Sequence, residues 1–249
     1  MTKIENLIIL SAKVSVIDSK QLLSVITGGI KEKTKTAIAY NTFNTINLIY
    51  KNGMLQNTFR GFDIIHPDGI GIFLASKLIY GKCGFKSRFT GSDFYPVLIE
   101  EGIKNKWSFF LFGDTGKTLS DAVQKNNNLN ICGYQNGFDY KDEEVIKKVN
   151  QLSPDILIVG LGCPKQEEWI IKFRDLIDAK IILAVGDGIK VFSGTKRRGL
   201  NIFRVLGLEW FIRLINNPKK YWKRYLLGIP LFVIRVIKFK LSSKIQTNI

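Results

Sequence analysis

The sequence of 249 residues has few of the residues on which several protein classes depend. It contains only three cysteines, and Cys83, Cys132 and Cys163 lie in no CxxC or other metal-ligand spacing. Such an odd, scattered set argues against a disulfide framework and favours reduced thiols in the cytoplasm. The single histidine, His66, has no sequence partners for a metal site or a catalytic triad, so we predict that it packs beside the functional site.

Acidic metal-binding motifs and long hydrophobic runs are also missing. No Asp-x-Asp motif occurs, so we expect no metal and no other cofactor. The apolar run Leu226–Ile234 contains Gly228 and Pro230 and is far shorter than the ~20 residues of a membrane span. The N-terminal apolar run ends by Leu10 without a small-residue cleavage site, which predicts no export signal.

Positive charge is what the sequence has in excess, and it is unevenly placed. The formal net charge is +16, and the stretch from Lys190 to Ile249 holds fourteen Lys and Arg against one acid, Glu209. This C-terminal stretch therefore carries +13 of the total. Charge concentrated in one tail predicts a local anionic partner. A nucleic-acid-binding protein is the weaker explanation, because it would need basic and aromatic residues interleaved across a groove.

The segment Pro218–Leu226 has the clearest helical periodicity in the chain. At 100° per residue its lysines and Arg224 gather on one face, and its large apolar side chains (Tyr221, Trp222, Tyr225 and Leu226) gather on the other. A basic amphipathic helix with interfacial aromatics is typical of segments that lie on an anionic membrane surface. The alternative is that the aromatic face packs on the rest of the protein while the lysines face water.

Apolar runs of strand length alternate with helical patterns through most of the chain. The predicted strands are Thr36–Tyr40, Phe62–His66, Trp107–Gly113, Asp155–Gly162 and Lys180–Gly186. This alternation predicts an α/β fold with a Rossmann-like, mostly parallel, doubly wound sheet and functional loops at the carboxyl ends of the strands. The composition becomes helical, aromatic and basic near Ser193. We therefore predict a Rossmann-like core over residues 1–195 and a helical appendage over residues 196–249.

Three strand ends carry polar residues on turns. Asp155–Gly162 runs through Gly162 to Pro164, where a helix begins whose first turn would seat an anion such as a diphosphate. Asp68 follows another strand beside Gly69, where a carboxylate can take a proton from an attacking hydroxyl or simply cap the next helix. Thr42 and Asn44 follow a third strand, where such residues commonly form turns or caps.

Taken together, these segments resemble the WecG/TagA/CpsF glycosyltransferases (glycosyltransferase family 26). The similarity covers about residues 36–224, and its motifs occur in the family's order. They are Thr42-x-Asn44, Pro67-Asp68-Gly69, Arg88-x-x-Gly91-x-Asp93, Gly133-Tyr134, Pro164-Lys165-Gln166-Glu167 and Gly207-Leu208-Glu209-Trp210-x-x-Arg213-Leu214. One departure is Arg198-Gly199, where the family usually has Ala-Pro.

The resemblance implies roles for individual residues. Asp68 would be the general base and Thr42 and Asn44 would position the sugar. Four groups would bind the nucleotide and its phosphates: Arg88, Gly162 with Gln166 and Glu167, Tyr134 against the uracil, and Arg213 or Arg224 from the appendage. Plainer interpretations stay open, because Tyr134 fits a core position and Arg213 lies four residues after Glu209, a spacing suited to a helical ion pair.

The function that the resemblance implies is sugar transfer at a membrane. It would be an inverting, metal-independent transfer of a hexose or N-acetylhexosamine, such as N-acetylmannosamine, from a UDP-sugar to an undecaprenyl-diphosphate-linked saccharide. The enzyme would be peripheral on the cytoplasmic face, its appendage completing the active site while touching the membrane. The product would feed a polymer such as teichoic acid, enterobacterial common antigen or capsule. The alternatives are a non-catalytic nucleotide-sugar-binding scaffold and, more remotely, a nucleic-acid-binding protein; self-association stays open.

Overall fold

A six-stranded, fully parallel sheet lies at the centre of the computed structural model, which describes residues 4–196 and 207–246. In chain order the strands are β3 (Thr36–Asn41), β4 (Ile64–Pro67), β5 (Ser108–Gly113), β6 (Asn130–Gln135), β7 (Ile156–Gly160) and β8 (Ile181–Ala184). Their spatial order is β4-β3-β8-β7-β5-β6. An antiparallel hairpin, β1 (Asn6–Ile9) and β2 (Ala12–Ser15), precedes the sheet. The inner strands are continuous apolar runs because helices cover both faces.

Helices connect consecutive strands and form the outer layers. They are α1 (Ser19–Lys31), α2 (Phe43–Ile49), α3 (Gly53–Arg60), α4 (Ile70–Tyr80), α5 (Gly91–Lys104), α6 (Gly116–Lys125), α7 (Asp142–Leu152), α8 (Lys165–Phe173) and α9 (Ile189–Phe192), with 3₁₀ turns at Gly81–Cys83 and Gly186–Gly188. The chain leaves β3 toward one edge of the sheet and β5 toward the other. Such a reversal opens a crevice at the carboxyl ends of the strands, where open α/β sheets bind ligands.

The predicted fold class is confirmed, including the parallel sheet and the helical C-terminal segment. The five predicted strands are present within a few residues of their expected ends. The hairpin and β6 were not predicted. Pro164 is the N-cap of α8 rather than its first residue, so the helix starts one residue later than expected.

The appendage consists of helices that pack on the core. They are α10 (Glu209–Asn216), α11 (Pro218–Trp222), a π-helical turn (Lys223–Leu227) and α12 (Gly228–Gln246). Asn47 on α2 connects the core to α12 by two hydrogen bonds. Its Nδ2 donates to the Gly228 carbonyl at 2.8 Å, and its Oδ1 accepts from Arg235 at 2.9 Å. The division at residue 195/196 stays a prediction, and the Arg198-Gly199 departure lies outside the described residues.

The aromatic residues of the appendage do not share one face as predicted. Tyr225 is buried and contacts Phe43 and Trp210, with ring centroids 6.0 and 5.8 Å apart, whereas Trp222 and Leu226 are exposed. The π-helical turn explains the split, because it adds a residue to one turn and rotates the side chains relative to an ideal α-helix. In the described part of the chain, no helix has the length and hydropathy required to cross a membrane.

Candidate active site

A cleft of about 740 Å³ opens at the carboxyl ends of the strands. One wall comes from the core, where loops after β3, β4, β7 and β8 meet the start of α5. The opposite wall comes from the appendage, through α10, the π-helical turn and α12. Seven predicted site residues line this cleft: Thr42, Asn44, Asp68, Arg88, Gly162, Arg213 and Arg224. The topology thus brings together residues separated by most of the chain length.

Asp68 lies on the core wall, immediately after β4. Its Oδ1 accepts a hydrogen bond of 3.0 Å from the backbone N–H of Gly91, the first residue of α5. Its own backbone N–H donates to the Asn41 carbonyl at 2.9 Å. The alternative role as a cap of α4 is wrong, since Gly69 occupies the N-cap position and α4 has no side-chain capping hydrogen bond. A carboxylate held at a helix N-terminus is stabilised and aimed without help from another side chain.

Gly69 permits the sharp turn that exposes this carboxylate. Its φ is +91°, in the region that glycine adopts without the steric penalty of a Cβ. A Cβ at this position would meet no atom within 4 Å, so the space beside the backbone is open. Conformation rather than crowding therefore explains the glycine after Asp68.

Thr42 and Asn44 lie at the start of α2, on the loop next to that of Asp68, because β3 and β4 are paired neighbours. Thr42 is the N-cap, and its Oγ1 accepts the Thr45 backbone N–H at 3.1 Å, so the capping interpretation is confirmed. Both residues also line the cleft. A capped helix N-terminus fixes the position of Thr42, and Asn44 follows on the first turn of the same helix.

Five cationic side chains line the cleft: Arg88, Lys196, Arg213, Lys220 and Arg224. Arg88 forms no ion pair with any carboxylate in residues 4–196 or 207–246, so its charge is available to an anionic ligand. Arg213 pairs with Glu209 at 3.7 Å, which confirms the helical ion pair, yet it also reaches the cleft. The Arg224 guanidinium lies 5.9 Å from the Phe43 ring centre and 5.6 Å from that of Tyr225.

Lys196 and Asp187 are cleft residues that the sequence analysis did not assign. Burial, and then the nearby charge of Arg213, lowers the pKa of Lys196 to about 8. Its Nζ lies 3.9 Å from Asp187, which also pairs with Lys190 at 3.2 Å. The position of Asp187 just after β8 was the available signal for that residue, because the loops that follow parallel strands meet at this edge of the sheet.

Gln166 and Glu167 lie behind the cleft wall rather than in it. Both side chains are fully buried. Gln166 Oε1 accepts the Gly186 backbone N–H at 2.9 Å, and its Nε2 donates to Glu167 Oε1 at 2.7 Å. Gly186 itself lines the cleft. The two residues therefore hold the Gly186–Gly188 turn in place instead of facing a ligand directly.

Glu167 is the most perturbed carboxyl group near the site. Burial raises its pKa to about 7, although the hydrogen bond from Gln166 partly opposes the shift. No hydrogen-bond donor within the described ranges reaches its second oxygen, Oε2. Cys163 also lines the cleft. Burial and the adjacent Glu167 raise the pKa of its thiol, so the thiol is a poor nucleophile.

Two further predicted residues, Tyr134 and His66, lie outside the cleft lining. Tyr134 lies on the edge strand β6, is partly exposed and is not among the residues that line the cleft. His66 is fully buried, with Nδ1 2.9 Å from the Pro67 carbonyl oxygen and its ring against Phe89. Burial lowers the pKa of His66, so this residue packs beside the site as a neutral ring, as predicted.

The charged lining of the cleft suits a phosphate-containing ligand. Its cations outnumber its three carboxylates (Asp68, Asp187 and Glu209). Over the described residues, no three His, Cys, Asp or Glu side chains come together as metal ligands.

Comparison with protein families identifies the chain. The sequence model of the family described as glycosyl transferase WecG/TagA/CpsF matches residues 7–246. The chain belongs to this glycosyltransferase family.

Curated relatives agree with this assignment. The glycosyltransferase is 34% identical over 197 residues, 78% of its chain and 75% of the relative, to an N-acetylglucosaminyldiphosphoundecaprenol N-acetyl-beta-D-mannosaminyltransferase of Bacillus spizizenii. Proteins of the same name match from Bacillus subtilis, at 34% identity over 73% of this chain and 71% of the relative, and from Staphylococcus aureus, at 30% over 86% and 88%. The family match also covers the N-terminal segment and α12, beyond the 36–224 range of the motif resemblance.

Proposed function

We propose that this glycosyltransferase moves an N-acetylhexosamine, such as N-acetylmannosamine, from a UDP-sugar to a saccharide linked to a polyprenyl diphosphate. The relatives' names support the acceptor class and the sugar. The observation that carries the proposal is the Asp68 carboxylate, which lies in a cleft with five cations and is aimed by the N-terminus of α5. This arrangement supplies a proton acceptor and charge for a departing nucleoside diphosphate.

The proposed reaction is a single displacement with inversion. The acceptor hydroxyl oxygen attacks the anomeric carbon of the donor while its proton passes to Asp68. The bond between that carbon and the UDP oxygen breaks, and its electron pair leaves with UDP. Arg88 and Arg224 face this departing charge from opposite walls of the cleft. Cationic side chains that are already in place stabilise developing negative charge without reorganisation.

The reaction proposed here needs no metal ion. The cleft cations provide positive charge from the protein itself, and the turn at Gly162 adds the N-terminal end of α8. Gly162 has a φ of +82° and its carbonyl accepts the Gln166 N–H at 2.9 Å, which fixes the turn. Gln166 and Glu167 act on the donor only through the backbone turn that they hold. Tyr134 has no part in this donor site.

The enzyme is proposed to work as a peripheral protein on the inner face of the membrane. Lys219 and Lys223 are exposed on the appendage, beside exposed Trp222 and Leu226. This combination of cations and apolar side chains fits an anionic lipid surface. The reaction would supply a cell-surface polymer of the teichoic acid, common antigen or capsule type.

The test measures UDP release from several UDP-sugars, with and without EDTA and with and without a short-chain lipid-diphosphate-GlcNAc acceptor. We expect acceptor-dependent release from an N-acetylhexosamine donor that survives EDTA, and a product whose anomeric configuration is opposite to that of the donor. Loss of release with EDTA would overturn metal independence, and retained configuration would overturn the single displacement. Donor binding without transfer from any UDP-sugar would favour a nucleotide-sugar-binding scaffold.

A further inference from the structure

The cleft continues beyond its charged part into an apolar groove between α4 and α12. Two rows of side chains face each other across this groove. Ile70, Leu74 and Leu78 recur at intervals of four along α4, and Ile229, Val233 and Val236 recur at four and three along α12. Side chains at these spacings lie on one face of a helix. The groove is therefore a continuous apolar extension of the cavity that contains Asp68.

The groove is open and carries no charge from its two helices. Neither α4 nor the described part of α12 contributes a charged side chain to the lining. Leu74 is 57% exposed, Leu78 40% and Val233 45%, which are large values for aliphatic side chains that line a concave surface. A contiguous exposed apolar surface at the rim of a cleft is typical of a site that binds an apolar ligand.

Polar and apolar features follow one another in a fixed order along the appendage. Arg224 lies in the π-helical turn and lines the same cleft as Asp68, and Ile229, Val233 and Val236 follow it on the same continuous helix. At 1.5 Å per residue, the distance from Arg224 to Val236 is about 18 Å. The cavity thus presents a carboxylate, then a cation, then an apolar groove.

This order matches an amphiphile with a sugar at one end, a diphosphate in the middle and a hydrocarbon chain at the other end. We propose that the groove between α4 and α12 binds the first isoprene units of the acceptor's polyprenyl chain. The proposal rests on the proposed function, because it extends that acceptor from its sugar and diphosphate to its lipid. Arg224 would lie beside the diphosphate, and Leu74 and Val233 would contact the chain from opposite walls.

Simple contact with a lipid bilayer would use a different set of side chains. Leu231 is 43% exposed on α12, almost as much as Val233, but it is not among the residues that line the groove. Bilayer contact would need both residues, whereas a groove needs only Val233. Leu231 is therefore a matched control on the same helix.

The experiment measures the dissociation constants of geranyl diphosphate and geranylgeranyl diphosphate by titration calorimetry, below their micelle concentrations and without membranes. For the wild-type protein we expect the longer chain to bind about tenfold or more tightly, since each buried methylene adds affinity. Leu74→Gln and Val233→Gln should remove most of this ratio, and Leu231→Gln should keep it. Thermal melting checks that all three variants are folded.

Equal affinity of the two diphosphates for the wild-type protein would overturn the groove, as would equal losses in Leu231→Gln and Val233→Gln. Because binding is measured without a donor sugar, this result is independent of the transfer assay. Chain-length-dependent binding with no transfer to any acceptor would leave the groove in place and refute the proposed function instead.

Discussion

The two walls of the cleft are built differently. The core wall holds its functional groups by backbone hydrogen bonds at element ends, as in the 3.0 Å bond from Gly91 to Asp68 and the capping bond of Thr42. The appendage wall holds Arg224 by aromatic packing on Phe43 and Tyr225. The proposed reacting group thus lies on the sheet-containing core, and charge and apolar surface come from a segment that packs against it.

The appendage wall should matter to catalysis as much as the core wall if both face the same diphosphate. We expect Arg88→Gln and Arg224→Gln each to lower kcat/KM about 10²-fold, the scale reported for loss of one donor to a developing charge. The double variant should lose less than the product of the two effects, because groups that bind one ligand group are coupled. Lys20→Gln is the control, since Lys20 is exposed on α1 and outside both the cleft lining and the appendage. Wild-type rates in Arg224→Gln would remove the appendage from the charge-stabilising site.

Behind the core wall, Glu167 should make the stability of the protein depend on pH. Burial raises its pKa from 4.5 to about 7, so the folded state binds this proton more tightly than the unfolded state. Its contribution is fully present below about pH 4.5 and is lost as the pH rises through 7, an effect of about 3 kcal/mol at most. Urea unfolding at pH 5.5 and pH 8 should therefore show a larger loss of stability in the wild type than in Glu167→Gln. Identical pH dependence in the two proteins would contradict the buried, protonated carboxyl group.

The packing of the appendage should depend on Tyr225 more than on Trp222. Tyr225 is 3% exposed and Trp222 is 42% exposed. Tyr225→Ala removes buried ring contacts with Phe43 and Trp210, which we expect to weaken docking by about 3 kcal/mol. Limited trypsin digestion should then cleave the appendage several-fold faster, whereas Trp222→Ala should be cleaved like the wild type. Equal protection of both alanine variants would show that the appendage is held by other contacts.

The sequence was most informative about the core wall. Alternating strands and turn residues predicted where Asp68, Thr42 and Gly162 would meet, because carboxyl ends of parallel strands share one edge of a sheet. Strand β6 was missed because it is a half-exposed edge with Gly133 inside it, so its apolar pattern is weak. The burial of Gln166 and Glu167 could not be predicted, since polar side chains beside a glycine turn suggest a ligand.

The appendage was predicted less well, for a geometric reason. Ideal helical periodicity placed Arg224 with the lysines and Tyr225 with Trp222. The π-helical turn at Lys223–Leu227 breaks that periodicity and places Arg224 and Tyr225 at the cleft. The change of pitch thus accounts for Arg224, whereas Arg213 and Lys220 line the cleft from positions before the turn.

The most direct test of the account is the rate of sugar transfer in Asp68→Asn, measured under saturating acceptor with Asp175→Asn as the control. Asp175 is exposed and lies before β8, at the opposite end of the sheet. We predict that Asp68→Asn lowers kcat by about 10²–10⁴-fold, the range for loss of a general base, while UDP-sugar still binds and Asp175→Asn stays active. Transfer at the wild-type rate in Asp68→Asn would contradict the assignment of the base.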